Sequence, residues 1–250
     1  MSAAAGSAAR GAAVQGTGAI RLATLAGIAI LWEILGQTRF VFGEALPPIS
    51  AVAAAAAAEI ASGSFYGHLG VTAGEVAGGF VFGVLPGVAV GLLFGARRVL
   101  GAAADPYVAA LATTPKIVFL PIVMLLVGIG PGSKVALGAV SAFFPVVIAT
   151  AAGMRAIPPV FVRVGRAFNL APAQMVRMVY LPALALPIVT GMRLGLGVCI
   201  IGVLLGELKL AKAGLGFLAG DYYNQYSFPA LYAIVAIVFV LAALANAAMS

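Results

Sequence analysis

Six apolar runs, at about residues 20–36, 69–95, 105–128, 134–154, 184–206 and 229–248, constrain this chain more than anything else in it. Each is close to the roughly 20 residues a helix needs to cross the hydrocarbon core of a bilayer, where every backbone N–H and C=O must be satisfied within the segment itself. Short segments of alternating polarity would point to a β-barrel, and these runs do not alternate. The expected fold class is all-α, a polytopic transmembrane helical bundle of about six spans. Composition agrees: 63% of residues are hydrophobic, 8% are charged and the mean hydropathy is +1.15, more apolar surface than a soluble domain can hide. The 32 glycines, 14 prolines and abundant alanine imply spans that bend and that approach one another through small residues.

Charges set the topology. Six spans place both termini on one side, and with the N-terminus in the cytoplasm Arg10, Arg21, Arg97, Arg98, Arg155, Arg163, Arg166 and Arg177 lie inside. Arg39, Lys134, Lys209 and Lys212 then lie outside, a balance that favours a cytoplasmic N-terminus and C-terminus. The net charge of +7 comes from such loop residues. No basic cluster is interleaved with aromatic rings, so nucleic acid is not an expected partner and membrane lipid is. Residues 1–19 read as a disordered cytoplasmic tail rather than a signal peptide, leaving 20–250 as the transmembrane domain. In "LPPISAVAAAAAAEIASGS", Pro47-Pro48 starts a surface helix and Gly63 ends it, short of crossing length. The single cysteine, Cys199, sits in an apolar run and reads as a small core residue.

The longest inside loop, Arg155 to Leu181, has a pattern of its own. Val160 to Phe168 reads as a short helix with Arg163 and Arg166 on one face, and Val164, Ala167 and Phe168 turned largely toward another. Asn169 is suited to end it, since after glycine it is among the residues that best tolerate the left-handed conformation. Pro172 fits the first turn of a second short helix carrying Gln174, Met175 and Arg177.

This helix, turn and helix resembles the "EAA" loop of permease subunits of type I ABC importers, with Arg163-Val164-Gly165 at the Glu-Ala-Ala positions, Asn169 at the glycine and Leu181-Pro182 at the Leu-Pro. "LWEILG" (31–36), "LPPISAV" (46–52), "TTPKIVFLPIVMLLVGIGPGSK" (113–134), "AFFPVVIATAAGM" (142–154), "LPALALPIVTGMRLGLGVCIIGVLLGE" (181–207) and "GLGFL" (214–218) follow in the order of its nitrate/sulfonate/taurine branch. Glu75, where many relatives carry arginine, leans with "TPK" and "FFP" toward members proposed to carry pyrimidine or other vitamin precursors. The resemblance implies a multi-pass protein of the bacterial inner membrane, acting as a homodimer. A cytoplasmic ABC ATPase dimer and an external substrate-binding protein would be its partners, and a small anionic or heteroaromatic solute its cargo. It also implies that residues 160–178 are a coupling loop, with Arg163, Val164, Gly165, Arg166, Ala167, Phe168, Asn169, Leu170, Ala171 and Gln174 at the ATPase contact. Arg163 in place of glutamate calls for acidic residues on the facing ATPase.

Polar residues inside apolar runs carry two readings each. Lys116 is either a pathway cation or a snorkelling or structural charge, pairing with Glu75 or Asp105. Pro115 and Pro121 kink the third span, opening backbone toward a path or only shaping the packing. Phe143 and Phe144 form a constriction or pack in the core. Glu207 lines the path's outer mouth or pairs with Lys209 or Lys212 at the surface. Glu33 is held by helix–helix hydrogen bonds or serves transport. "DYYNQYSFP" (221–229) is an interfacial aromatic belt or a docking surface, and His68 carries no chemistry. No phosphate loop, activated nucleophile or metal cluster occurs, so no cofactor is expected here, and ATP and Mg²⁺ belong on the partner ATPase. The competing classes are a secondary transporter or channel, which the absence of repeats disfavours, and a non-transporting membrane anchor for an ATPase.

Overall fold

The computed structural model describes residues 2–39 and 43–249, and among these there are helices and no strand. Helix α1 (Ser2–Thr38) holds the first apolar run. The helix begins at Ser2, ahead of that run, in keeping with the strong helix propensity of alanine. Helix α2 (Ile49–Ala61) is locked to α1 by the two motifs that flank their junction. The Trp32 indole donates to the Pro47 carbonyl (3.0 Å), and the Glu33 carboxylate accepts from both the Ser50 amide (3.1 Å) and the Ser50 hydroxyl (2.7 Å). Glu33 therefore satisfies orphan donors at the start of α2, the helix–helix reading of this residue.

Helix α3 (Gly63–Ala96) begins where Ser62 accepts from the Phe65 amide, so Gly63 opens α3 rather than ending α2, and the second span starts earlier than its apolar run suggests. Gly79, Gly83, Gly87, Gly91 and Gly95 recur every fourth residue and lie on one face of α3, against α6 (Pro131–Ala156). A Cβ at Gly83 would stand 2.6 Å from the Ala139 carbonyl oxygen and 2.7 Å from the Ala142 Cβ, so the two backbones are as close as glycine permits. Helix α9 (Leu181–Leu210) packs on α6 too, and Cys199, fully buried beside Gly79 and Gly138, takes the core role its neighbours suggest.

The third span departs most from expectation. The run 105–128 is not one helix but α4 (Arg98–Thr113), a 3₁₀ turn over Lys116–Phe119, and α5 (Leu120–Val127), bent by 93°. Thr114 is extended (ψ 132°), as a residue before proline prefers, and Pro115 cannot continue the hydrogen-bond ladder. Pro121 does not kink the chain, because it falls in the first turn of α5, where its missing N–H is no loss. Beyond α6 come α7 (Pro159–Ala167) and α8 (Pro172–Met175), then a π turn (Val176–Tyr180) that feeds α9. A short α10 (Leu215–Asn224) and the last span, α11 (Phe228–Ala247), close the bundle, with Phe65, Leu215, Leu218 and Ile234 buried together between them. Among the described residues five helices are long and apolar enough to cross a membrane, and the bent pair makes up to six.

Candidate functional site

Three places combine polar chemistry with a built geometry. The first is the α7–α8 loop. Asn169 has φ +51°, its N–H donates to the Arg166 carbonyl (2.9 Å) and the Leu170 N–H to that of Gly165 (3.1 Å), the paired bonds of a Schellman turn. Gln174 accepts from the Ala171 N–H (2.9 Å), which secures the start of α8. Gly165 is buried where α7 meets Met175, and a Cβ there would lie 2.8 Å from the methionine sulfur, so any larger residue would have to displace the end of the Met175 side chain. The opposite face is open. Arg163, Val164, Arg166 and Phe168 are exposed, Phe168 at 77%, and a cavity of about 640 Å³ lies beside Phe161, Val164 and Met178. A rigid turn thus presents an apolar and basic surface outward from the bundle.

The second place is the break at Pro115. Breaking the helix orphans carbonyls at the end of α4, and the Lys116 ammonium donates to three of them: Leu111 (2.8 Å), Ala112 (2.9 Å) and Thr114 (2.7 Å). A cation is also favoured at this end of the helix dipole. Pro115 and Lys116 therefore act together, one breaking the helix and the other capping it. Lys116 pairs with neither suggested acid: Asp105 binds Arg155 (3.1 Å), and Glu75 lies elsewhere. Its ammonium stands 5.3 Å from the Phe144 ring centre, within cation–π range, and Phe143 meets Phe144 edge-on at 5.2 Å. A cavity of about 240 Å³ opens here between the break, α6 and α9, beside Pro115, Lys116, Ser141, Pro145 and Gly202. Pro121 is exposed on α5 and does not line it.

Glu207 does not join this cavity, nor does it form the suggested surface pair with Lys209 or Lys212; among the described residues the ion pairs are Arg39–Glu44 and Arg155–Asp105. It is 1% exposed in a third place, a polar knot. Its Oε1 accepts from the Thr72 hydroxyl (2.6 Å) and its Oε2 from the Gly216 amide (2.7 Å), while Thr72 in turn accepts from the Leu215 amide (2.8 Å). His68 accepts from the Gly214 amide (3.0 Å) and stacks on Phe217. Glu75 and Lys134 are buried in the same neighbourhood, so Lys134, expected as an outer loop charge, is turned inward, with its ammonium on the Gly130 carbonyl (3.0 Å). Sequence reasoning missed this knot. Gly214 and Gly216 soon after Glu207 hinted at amides aimed at a carboxylate, but Thr72 lies 135 residues away. In the aromatic stretch, Tyr222 donates to Glu59 and so joins α10 to α2.

Residues 79–250 match the family described as "Binding-protein-dependent transport system inner membrane component". A Bacillus subtilis (strain 168) chain named for aliphatic sulfonates transport, the permease protein SsuC, is 31% identical over 194 residues, covering 78% of this chain and 70% of that one. The taurine transport system permease protein TauC of Escherichia coli (strain K12) is 27% identical, with 88% and 82% covered. The nitrate import permease protein NrtB of Synechocystis sp. (strain ATCC 27184 / PCC 6803 / Kazusa) is 30% identical, with 60% and 55% covered. Among solved structures, a chain of the MetNI methionine ABC transporter in an inward-facing conformation has the same fold, with a TM-score of 0.67 at 21% identity, covering 74% of this chain and 93% of that one.

Proposed function

This chain belongs to the inner-membrane component family of binding-protein-dependent transport systems and is a permease subunit of a type I ABC importer; on that premise we propose that two copies form the path and that the α7–α8 loop couples it to a separate ATPase. The loop carries this reading. A Schellman turn at Asn169, a glycine contact at Gly165 and a capped α8 make a short stiff element, continuous through the π turn with α9. Such an element passes a rigid-body movement of a bound partner to a membrane span, where a floppy loop would absorb it. Phe168 and Val164 supply apolar contact area, and Arg163 and Arg166 supply charge for an acidic groove. ATP binding by the partner favours the outward-facing state and hydrolysis relaxes it, the nucleotide and Mg²⁺ staying on the ATPase. The loop arginines support a cytoplasmic side for both termini, with a substrate-binding protein docking at the outer face near α2 and α10.

The solute class is a small anion. The relatives are named for sulfonates, taurine and nitrate, and the cavity at the broken third span holds the Lys116 charge. With its three donors engaged by α4 carbonyls, Lys116 acts on a passing solute through its field rather than by a direct bond. Pro115 lines the same cavity, while Phe144 stands within cation–π range of Lys116 and Phe143 packs against Phe144.

The test is double charge reversal, Arg163→Glu with Arg166→Glu, read in membrane vesicles holding the assembled importer. ATP-dependent uptake and co-purification of the ATPase are expected to fall about tenfold or more. Unchanged uptake with the ATPase still bound would remove the loop from the coupling role.

A further inference from the structure

We propose that Glu75 and Glu207 hold one proton between them, and that this proton secures the latch by which the α9–α10 turn is held on α3. Glu75 is 5% exposed and Glu207 1%, both in spans, and Glu75 stands one turn along α3 from Thr72, whose hydroxyl donates to Glu207 (2.6 Å). Two ionised carboxylates have acceptors only, so a bond between them needs a proton. The charge balance agrees. Lys134 is the ammonium buried beside Gly206, next to Glu207, and two carboxylates against one cation would leave a net negative charge inside the bundle, where an uncompensated charge is strongly disfavoured. One proton makes the group neutral.

The hydrogen bonds say where that proton resides. Both oxygens of Glu207 already accept, from the Thr72 hydroxyl and the Gly216 amide, as suits a carboxylate. The Oε2 of Glu75 is buried without any partner, which is costly for a carboxylate oxygen and is resolved if Glu75 carries the proton. The groups facing the pair are Thr72 and His68 from α3, Lys134 from α6, and the amides of Gly214, Leu215 and Gly216 from the turn and α10. On α10, Asp221 is engaged by Gln225, and Tyr222 is engaged by Glu59. Glu207 thus clamps the turn while Thr72 ties the same turn to α3. Removing the proton sets two negative charges against each other at this clamp. The closed turn binds one proton more than the open one, so rising pH weakens it.

Hydrogen exchange of residues 212–218 in the full-length chain, held in lipid nanodiscs, reads the latch after correction for the intrinsic pH dependence of amide exchange. Wild-type protection is expected to fall by about tenfold per pH unit once the proton leaves. Glu75→Gln, which copies the neutral acid and keeps a donor, should give protection that does not vary with pH. Infrared spectra at about pH 7, above the ordinary carboxyl range, should show a neutral carboxyl C=O band in the wild type that is missing from Glu75→Gln. The proposal is overturned by pH-independent protection in the wild type, by the same pH dependence in Glu75→Gln, or by absence of the band. The wild-type band and wild-type exchange decide the matter even if the variant does not fold.

Discussion

Replacing Asn169 with a graded series tests whether the turn between α7 and α8 is held by its backbone conformation. At φ +51° an L-residue with a Cβ crowds the following carbonyl, a cost of about 1–2 kcal/mol from which glycine is exempt and asparagine partly so. Asn169→Gly should leave the turn as stable as it is or more so. Asn169→Ala should cost about 1 kcal/mol, and Asn169→Val, with a branched Cβ, about 2 kcal/mol, which open the turn roughly 5-fold and 30-fold more often. Opening breaks the Asn169–Arg166 and Leu170–Gly165 bonds and frees the chain around Arg163 and Arg166, both exposed. Limited trypsin digestion after these arginines reads the open population directly while closing is faster than cleavage. The expected order of cleavage rates is Gly at or below wild type, then Ala, then Val, and the same order should appear as loss of coupled uptake. A valine variant cleaved no faster than the glycine variant would refute the turn as the stiff part of the loop.

Two further predictions concern packing and the outer face. Gly83→Ala forces a Cβ to 2.6 Å from the Ala139 carbonyl, so it should destabilise the bundle by about 1–3 kcal/mol, whereas Gly74→Ala, with nothing within 4 Å, should be neutral or stabilising. Thermal unfolding of the two variants in detergent compares them, and equal stability would contradict the close α3–α6 approach. Burial, and the bond to the Glu59 carboxylate, push the Tyr222 phenol up to about 12 from 10.0. The folded chain therefore holds this proton more tightly than the unfolded one, and the stabilisation it brings is intact below pH 10.0 and lost as pH rises through about 12. Phenolate absorbance, compared with Tyr222→Phe, should show this tyrosine titrating late; ordinary titration would break the link between α10 and α2.

What could be read in the sequence was whatever is decided within a few residues. Asn169 before Leu170 and Pro172 announces its turn because left-handed tolerance and proline's fixed φ are local properties. The break at Thr114-Pro115 was likewise visible as a kink, though not its 93° angle, which depends on Lys116 folding back to cap α4. Pro121 illustrates the limit: the same residue type causes no bend, because the break upstream leaves it in a first turn.

The sequence alone determined an all-helical bundle, the approximate spans, the loop that turns at Asn169 and the family, since span length is fixed by bilayer thickness and the motifs run in order along the chain. Only the tertiary structure decided which buried charges meet. Glu207 with Thr72 and the Gly216 amide, Glu75 beside it, Lys134 turned inward and Asp105 with Arg155 all join helices distant in the chain. A charge in an apolar run states that it needs a partner. Which one it finds depends on how closely helices approach, and here the glycine face of α3 lets α6 and α9 bring those partners together.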